Sequence, residues 1–234
     1  FPEGRVPLPQ ALEVCRQIAS ALDYAHGEKV VHRDVKPGNV MVETRGKDEG
    51  RRMKAESGAA SSFIPHPSAL NVRVLDFGLA AEIRSSMSRV SQEKGDTSGT
   101  RPYMAPEQWA GRKQDGRTDQ YALAALFYEL VSGAVPFASA FETGDPVIMA
   151  NAAENKRPEP LAELSKAQNA ALLRGLAKEP GERFATCGEL VKALGNANIK
   201  PQSAQRHGGK KVALMLAAAA AVVAMGYGAY RTYG

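Results

Sequence analysis

The sequence predicts a mainly α-helical domain with short β-strands around one polar loop, followed by a single C-terminal transmembrane helix. Residues 118–131 are apolar on nearly every side, which is typical of a helix at the centre of a domain. Short apolar stretches flank the polar sequence at 32–34, as strands flank a loop. Residues 212–230 include no charged side chain, and a run of that length can cross a bilayer.

The composition is that of a globular protein of ordinary size. The 234 residues are 44% hydrophobic and 24% charged, which excludes a wholly disordered chain. The formal net charge is +5, but basic residues mostly alternate with acidic ones, so we expect no nucleic-acid partner. Two cysteines, Cys15 and Cys187, cannot form a disulfide framework and fit a reducing compartment. The chain opens at Phe1 without a signal-peptide pattern, so we expect it to be a piece of a longer protein.

The first part of the chain is predicted to contain one helix and several short strands. Apolar residues recur at helical spacing over residues 9–26 and predict an amphipathic helix. Strands are predicted at 30–31, at 40–42 and at 72–75. Residues 43–71 are first densely charged and then small, polar and punctuated by proline. They are therefore predicted to be a disordered surface insertion.

The second part begins with residues 78–116, which contain many turn formers and hydroxyl groups with little periodicity. This pattern predicts one long functional loop. The central helix at 118–131 follows, and further helices are predicted at 166–177 and at 186–194. The last of these begins with residues at the spacing of a capping box.

A basic linker at 197–211 separates the domain, residues 1–196, from the uncharged segment at 212–230. Lys210 and Lys211 place the domain on the cytoplasmic side by the positive-inside rule, so we expect a single-pass protein of the cell membrane. The alternative is an alanine-rich soluble helix or a docked tail, because alanine is only weakly apolar. Small residues within the segment would allow two such helices to pack closely in the bilayer, which is compatible with a homodimer.

Three short motifs carry the functional signal: His32-Arg33-Asp34-Val35-Lys36-Pro37-Gly38-Asn39, Asp76-Phe77-Gly78 and Ala105-Pro106-Glu107. In this order, with the first two each following a predicted strand, they resemble the catalytic half of a eukaryotic-type protein kinase. The resemblance covers residues 1–196, which it predicts to be the helical C-terminal lobe of a kinase domain. A cytoplasmic kinase lobe followed by one membrane span resembles the bacterial receptor-type kinases.

The resemblance implies a membrane-anchored enzyme that transfers the γ-phosphate of ATP to serine or threonine hydroxyls of protein substrates. It makes Asp34 the residue that holds the attacking hydroxyl and Lys36 the cation that balances charge on the transferred phosphoryl group of ATP. Asn39 and Asp76 match the oxygen ligands of the Mg²⁺ that binds ATP, with Mn²⁺ as an alternative ion. Thr100 matches the threonine that contacts the catalytic aspartate in serine/threonine kinases.

A regulatory role is implied for Arg33. It matches an arginine that pairs with a phosphate on the activation segment of the family, since a phosphate offers arginine two charge-assisted hydrogen bonds. Thr97 and Ser98 are the best-placed acceptors of that phosphate. The alternative is a loop that is rich in hydroxyl groups without regulatory meaning.

Three further residues match architectural positions of the family. Glu107 resembles a glutamate that forms a buried ion pair, and Arg183 matches the arginine that is its partner. Asp119 resembles the aspartate that holds the backbone of the catalytic loop. An N-terminal helix cap is the alternative role for Asp119.

The sequence departs from the family before its first predicted helix. It includes neither the glycine-rich loop nor the strand lysine of the lobe that covers ATP. Without that lobe the remaining residues could hold Mg²⁺ and a substrate hydroxyl but not the nucleotide, so this chain alone is expected to be nearly inactive. The alternative function is a catalytically inert, pseudokinase-like binding scaffold.

Overall fold

A computed structural model of the chain describes residues 4–44, 66–77 and 101–196. All of them belong to the first of the two units into which the chain divides, Phe1–Ile199. Within these described ranges, no helix is long and apolar enough to span a membrane. The linker at 197–211 and the predicted span at 212–230 lie outside the described residues.

The described residues form seven α-helices and one two-stranded antiparallel sheet. In chain order these are α1 (Leu8–Gly27), β1 (Val40–Thr44), β2 (Leu70–Val74), α2 (Pro106–Trp109), α3 (Gly116–Ser132), α4 (Ala138–Phe141), α5 (Pro146–Asn155), α6 (Lys166–Gly175) and α7 (Cys187–Gly195). The mainly helical fold class is therefore confirmed. The four predicted helices correspond to α1, α3, α6 and α7, and their observed ends lie within two residues of the predicted ones.

Helix α3 lies at the centre of the domain, as its apolar sequence predicts. Tyr121, Leu123 and Phe127 are each at most 2% exposed. Asp115 caps the first turn, where its side chain accepts the backbone N–H two residues on. Gly133 ends the helix in the left-handed region at φ 78°, a conformation that glycine adopts without a steric penalty.

Helix α1 packs against α3, α7 and β2 with its apolar face. Its fully buried residues recur at helical spacing: Ala11, Cys15, Ile18 and Leu22. Near its end, the carboxylate of Asp23 accepts the backbone N–H groups of Cys187 and Gly188, both at 2.8 Å. These N–H groups open α7 and have no partner within that helix, so the carboxylate fixes the start of α7 against α1.

The strands β1 and β2 form a hairpin in which Val40 pairs with Val74 and Thr44 pairs with Leu70. Strand β1 extends two residues further than predicted, to Thr44, whereas β2 begins two residues earlier than predicted, at Leu70, and ends at Val74 rather than Leu75. Backbone pairing does not require the polar residues near the connecting segment to be buried. The predicted insertion at 43–71 is therefore too wide: residues 43–44 belong to β1, and residues 67–71 form a 3₁₀ turn and the start of β2. Its interior, residues 45–65, lies outside the described residues.

Two other predictions are corrected. The strand predicted at 30–31 is wrong: the N–H of Val30 donates to the carbonyl of Ala25 at 2.9 Å, which closes a turn at the end of α1. An apolar pair alone cannot specify a strand without a partner strand beside it. The predicted loop at 78–116 also contains more structure than expected, since a 3₁₀ turn (Arg101–Tyr103) and helix α2 lie within it.

Candidate active site

Asp34 lies in the loop between α1 and β1 and is 8% exposed. Its Oδ2 lies 3.1 Å from Nζ of Lys36 and accepts a hydrogen bond from Nδ2 of Asn39, also at 3.1 Å. The same Nδ2 donates to the backbone carbonyl of Asp34 at 2.8 Å. The structure thus brings three predicted site residues together: a buried carboxylate, a cation and an amide. A carboxylate held in this way can orient a hydroxyl group by accepting its hydrogen bond.

Asp119, in the first turn of α3, holds the backbone of this loop. Its Oδ1 accepts the N–H of Arg33 at 2.6 Å, and its Oδ2 accepts the N–H of His32 at 2.8 Å. Nε2 of His26 lies 2.7 Å from the same Oδ2, so a carboxylate that is 1% exposed receives three hydrogen bonds. The residue that caps α3 is Asp115, so Asp119 contacts the loop rather than its own helix end.

His32 connects the loop to the end of β2. Its Nδ1 accepts the N–H of Asp34 at 3.2 Å, so the ring proton is on Nε2, which donates to the carbonyl of Leu75 at 2.8 Å. The ring also meets Phe77 edge to face, with centroids 4.7 Å apart. The buried imidazole therefore fixes the position of Asp34 relative to the segment that carries Asp76.

Asn39 and Asp76 are brought side by side by the backbone. The N–H of Leu75 donates to the carbonyl of Asn39 at 2.9 Å, so Asp76 follows directly after a residue bonded to Asn39. Because Nδ2 of Asn39 is directed at Asp34, its carbonyl oxygen Oδ1 is the atom left to act as a ligand. Asp76 is exposed and contributes a carboxylate. Two hard oxygen donors in this arrangement fit Mg²⁺, which prefers one or two such protein ligands together with phosphate oxygens.

The comparisons with known proteins agree with this geometry. The family model described as the protein kinase domain matches residues 2–193. This chain belongs to the protein kinase family. The resemblance inferred from the three motifs is thereby confirmed.

The curated relatives of this kinase domain include bacterial enzymes. It is 32% identical over 200 residues to the serine/threonine-protein kinase PknF of Mycobacterium tuberculosis, an alignment that covers 84% of this chain and 36% of PknF. It is 34% identical over 194 residues to the serine/threonine-protein kinase PknB of the same species, covering 80% of this chain and 26% of PknB. The chain therefore spans between about a quarter and about a third of the length of these relatives.

The solved structures similar to this kinase domain include the kinase domain of Mycobacterium tuberculosis PknI. A double mutant of that domain superposes with a TM-score of 0.52 at 26% identity, and a single mutant with a TM-score of 0.51 at 28% identity. Each match covers 83% of this chain and 56% of the PknI chain. The fold described above is thus the kinase fold over the region that the two proteins share.

The kinase domain contains the buried ion pair that its sequence predicts. Nη1 and Nη2 of Arg183 donate to the two carboxylate oxygens of Glu107, both at 2.8 Å, and the side chains are at most 2% exposed. The hydroxyl of Thr118 donates to Oε1 of Glu107 at 2.8 Å. Burial by itself would raise the pKa of Glu107, but the hydrogen bonds and charge of Arg183 outweigh it, so the pKa is lowered.

Three predicted residues lie outside the described part of the kinase domain: Thr97, Ser98 and Thr100. Their roles stay predictions. Arg33, the residue predicted to bind the phosphate, lies within the described residues. Its side chain is exposed, and its backbone lies in the left-handed region at φ 66°.

Some contacts of the site have no counterpart in the sequence analysis. His26, at the end of α1, meets Asp119, and Tyr103 donates its hydroxyl to Oε2 of Glu129 on α3 at 2.6 Å. Burial, followed by the contact with Glu129, raises the pKa of Tyr103. Both contacts join residues far apart in the chain, and neither His26 nor Tyr103 belongs to a local pattern that would have indicated them.

Proposed function

We propose that this chain carries the catalytic loop of a serine/threonine protein kinase that transfers the γ-phosphoryl group of ATP to protein hydroxyls. One observation carries the proposal: the buried carboxylate of Asp34 is held by Lys36 and Asn39 on a loop whose backbone is anchored by Asp119. Phosphoryl transfer depends on positioning and charge neutralisation more than on covalent help, and this loop provides a fixed base beside a cation.

Each residue of the site has a separate role in the proposed transfer of the phosphoryl group. Asp34 accepts the hydrogen bond and then the proton of the substrate hydroxyl, whose oxygen bonds to the γ-phosphorus as the bond to the departing ADP oxygen breaks. Lys36, 3.1 Å from Asp34, balances the negative charge of the transferred group. Asn39 and Asp76 would hold Mg²⁺, which neutralises the phosphate charge when it is bound.

The choice of serine and threonine over tyrosine rests on Lys36 and Thr100. Lys36 lies where it can meet both the phosphoryl group and Asp34, an arrangement typical of serine/threonine kinases. We propose that Thr100 contacts Asp34 in the active enzyme. The relatives PknF and PknB are serine/threonine-protein kinases, which supports this acceptor class.

The test compares the natural full-length protein with its Asp34→Asn variant, in the presence of ATP and Mg²⁺. Radiolabelled phosphate should appear on serine and threonine of a generic protein substrate, and the variant should lose at least about 99% of the rate, because removing a positioned base costs about 100-fold or more. Incorporation by neither protein would instead support the inert binding scaffold, and equal incorporation by both would show that Asp34 is not the base.

We also propose that Arg33 receives a phosphate on Thr97 or Ser98. Its exposed guanidinium next to the anchored loop would let a bound phosphate order the neighbouring segment. Mass spectrometry of the autophosphorylated protein should find phosphate on one of these two residues. Replacing both with alanine should lower activity, and Arg33→Met should lower it without further loss in the combined variant.

We propose that residues 212–230 anchor the kinase in the cell membrane as a single span, with the kinase domain on the cytoplasmic side. The uncharged length of the segment and its basic neighbours support this. The protein should resist extraction from membranes by alkaline carbonate and dissolve in detergent, and deletion of 212–230 should release it. Recovery of the intact protein in the carbonate supernatant would contradict the anchor.

A further inference from the structure

The side chain of Gln108, in helix α2, is bound at both of its polar atoms. Its Oε1 accepts the backbone N–H of Ala105 at 2.9 Å, and its Nε2 donates to the backbone carbonyl of Arg33 at 3.0 Å. Because an N–H can only donate and a carbonyl can only accept, these two partners fix which end of the amide faces which. The amide therefore joins the start of α2 to the catalytic loop in one defined orientation.

The carbonyl that Gln108 binds belongs to the residue directly before Asp34. The N–H of the same residue, Arg33, donates to Oδ1 of Asp119 at 2.6 Å. Both backbone polar groups of Arg33 are thus held by side chains, one from α2 and one from α3. This double attachment acts on a non-glycine residue in the left-handed region, a conformation that persists only where its surroundings hold it.

Helix α2 is itself attached to the core of the domain. The residue before Gln108 is Glu107, whose carboxylate is buried against Arg183 and Thr118. The two neighbouring side chains leave α2 in different directions, one into the core and one to the loop. A displacement of the peptide group between Arg33 and Asp34 would therefore have to break a hydrogen bond to a part of the domain that does not move easily.

We propose that Gln108 is a positioning residue for Asp34: it fixes the peptide group that precedes the base, and through it the direction in which the carboxylate points. The inference rests on the proposed kinase function, in which Asp34 is the base. Gln108 touches no reacting atom. Its effect should therefore appear in the rate of the chemical step and not in the binding of ATP.

The chain contains a matched control in Gln168. Like Gln108, it is the third residue of its helix, α6; its Oε1 accepts the N–H of the capping residue Ser165 at 3.0 Å. Its Nε2 donates to a distant carbonyl, that of Leu194, at 2.9 Å. The two glutamines make the same pair of hydrogen bonds, but the partner of Gln168 lies at the end of α7 and not in the catalytic loop.

The experiment compares Gln108→Glu and Gln168→Glu in the natural full-length protein. Each change keeps the size of the side chain, removes the donor and places a carboxylate beside a carbonyl. For Gln108→Glu we expect kcat to fall by up to about 100-fold with the KM for ATP nearly unchanged, since misplacing a catalytic group affects the chemical step. Gln168→Glu should lower the melting temperature at least as much and leave kcat within about twofold. Unchanged kcat in Gln108→Glu, or equal losses in the two variants, would overturn the inference.

A second measurement separates this inference from the proposed function. Amide hydrogen exchange of Arg33 and Asp34 is followed in the same three proteins, and it needs no activity. Faster exchange at these two amides in Gln108→Glu, but not in Gln168→Glu, supports the attachment even if the unsubstituted protein proves inactive. Exchange that is equally slow in all three proteins shows that Gln108 does not hold the loop.

Discussion

At the scale of single residues, the site depends on backbone conformations that cost free energy. Arg33 and Asp76 both occupy the left-handed region, at φ 66° and φ 59°. Each such conformation costs about 1–3 kcal/mol in a residue other than glycine. Asp119 offsets this cost at Arg33, and the bond between Leu75 and Asn39 lies directly before Asp76. Arg33, which precedes the proposed base, and Asp76, a proposed Mg²⁺ ligand, are therefore held in place by their neighbours.

Lys178 provides a prediction about pH. Its Nζ donates to the carbonyl of Ala153 at 2.6 Å and lies 4.7 Å from the centre of the Phe137 ring. Burial, and then the positive charge of Arg183, lower the pKa of Lys178 to about 8 from its usual 10.5. Between these two pH values the unfolded chain binds more protons at Lys178 than the folded one. The contribution of Lys178 to the free energy of unfolding should therefore increase as the pH rises from about 8 to about 10.

Chemical denaturation of the unsubstituted protein and of Lys178→Met over this pH range tests the prediction. The unfolding free energy of the unsubstituted protein should rise with pH relative to that of Lys178→Met, because the other titrating groups cancel in the comparison. Lys166→Met, the same change at an exposed position in α6, should follow the unsubstituted protein throughout. A constant difference for Lys178→Met would show that Lys178 keeps its usual affinity for protons.

At the scale of elements, the ion pair of Glu107 and Arg183 holds α2 and the start of α3 to the turn before α7. Arg183 also donates to three backbone carbonyls, those of Arg117, Ala177 and Lys178. One side chain thus satisfies three backbone carbonyls from two segments, the first turn of α3 and residues 177–178. The pair fixes α2, and α2 in turn places Gln108 at the catalytic loop, so the architecture and the site share one support.

Glu107→Gln should destabilise the domain by about 3–5 kcal/mol, because it leaves the buried charge of Arg183 without its partner. The exposed pair of Arg5 and Glu163, 3.0 Å apart with side chains 54% and 38% exposed, gives the control. Glu163→Gln should cost less than about 1 kcal/mol. Urea denaturation at neutral pH measures both, and similar losses in the two variants would contradict the prediction.

The same pair makes the stability of the domain sensitive to acid. The lowered pKa of Glu107 means that its contribution is present above the pKa of an unfolded glutamate and is lost as the pH falls through the folded value. Unfolding free energy should therefore fall less steeply with decreasing pH in Glu107→Gln than in the unsubstituted protein. The Glu163→Gln variant should keep the steeper dependence.

At the scale of the whole molecule, the sequence predicts the fold better than the contacts of the site. Helical spacing identifies α1, α3, α6 and α7, because burial of one face imposes a local period. The strand at 30–31 fails because strands require a partner that no local pattern specifies. The motif residues Asp34, Lys36 and Asn39 come together because they lie within six positions of the chain. The contacts of Gln108 and His26 instead span 75 and 93 residues, so no local pattern indicates them. Tyr103 contacts Glu129, which belongs to none of the three motifs.

Replacing residues 45–65 with Asn-Gly should leave the domain folded. Thr44 and Leu70 are opposite each other in the hairpin, so the ends to be joined are already close, and His66 to Ala69 remain to complete the turn. Loop-closure entropy changes by only about 0.6 kcal/mol for each doubling of loop length, so the unfolding free energy should change by about 1–2 kcal/mol at most. Urea denaturation and the rate of phosphate transfer measure the outcome, and a loss of cooperative unfolding would show that the removed residues are needed for the fold.

The register of the hairpin also indicates where foreign sequence can be inserted. Asn39 and Asp76 lie just beyond the Val40–Val74 pair. The segment that connects the two strands lies at the opposite end of the hairpin, beyond the Thr44–Leu70 pair. A change of length or composition in the connecting segment would act on the end of the hairpin that is farther from Asn39 and Asp76. The connecting segment is therefore a natural place to insert a reporter domain, because the proposed Mg²⁺ ligands lie at the other end of the hairpin.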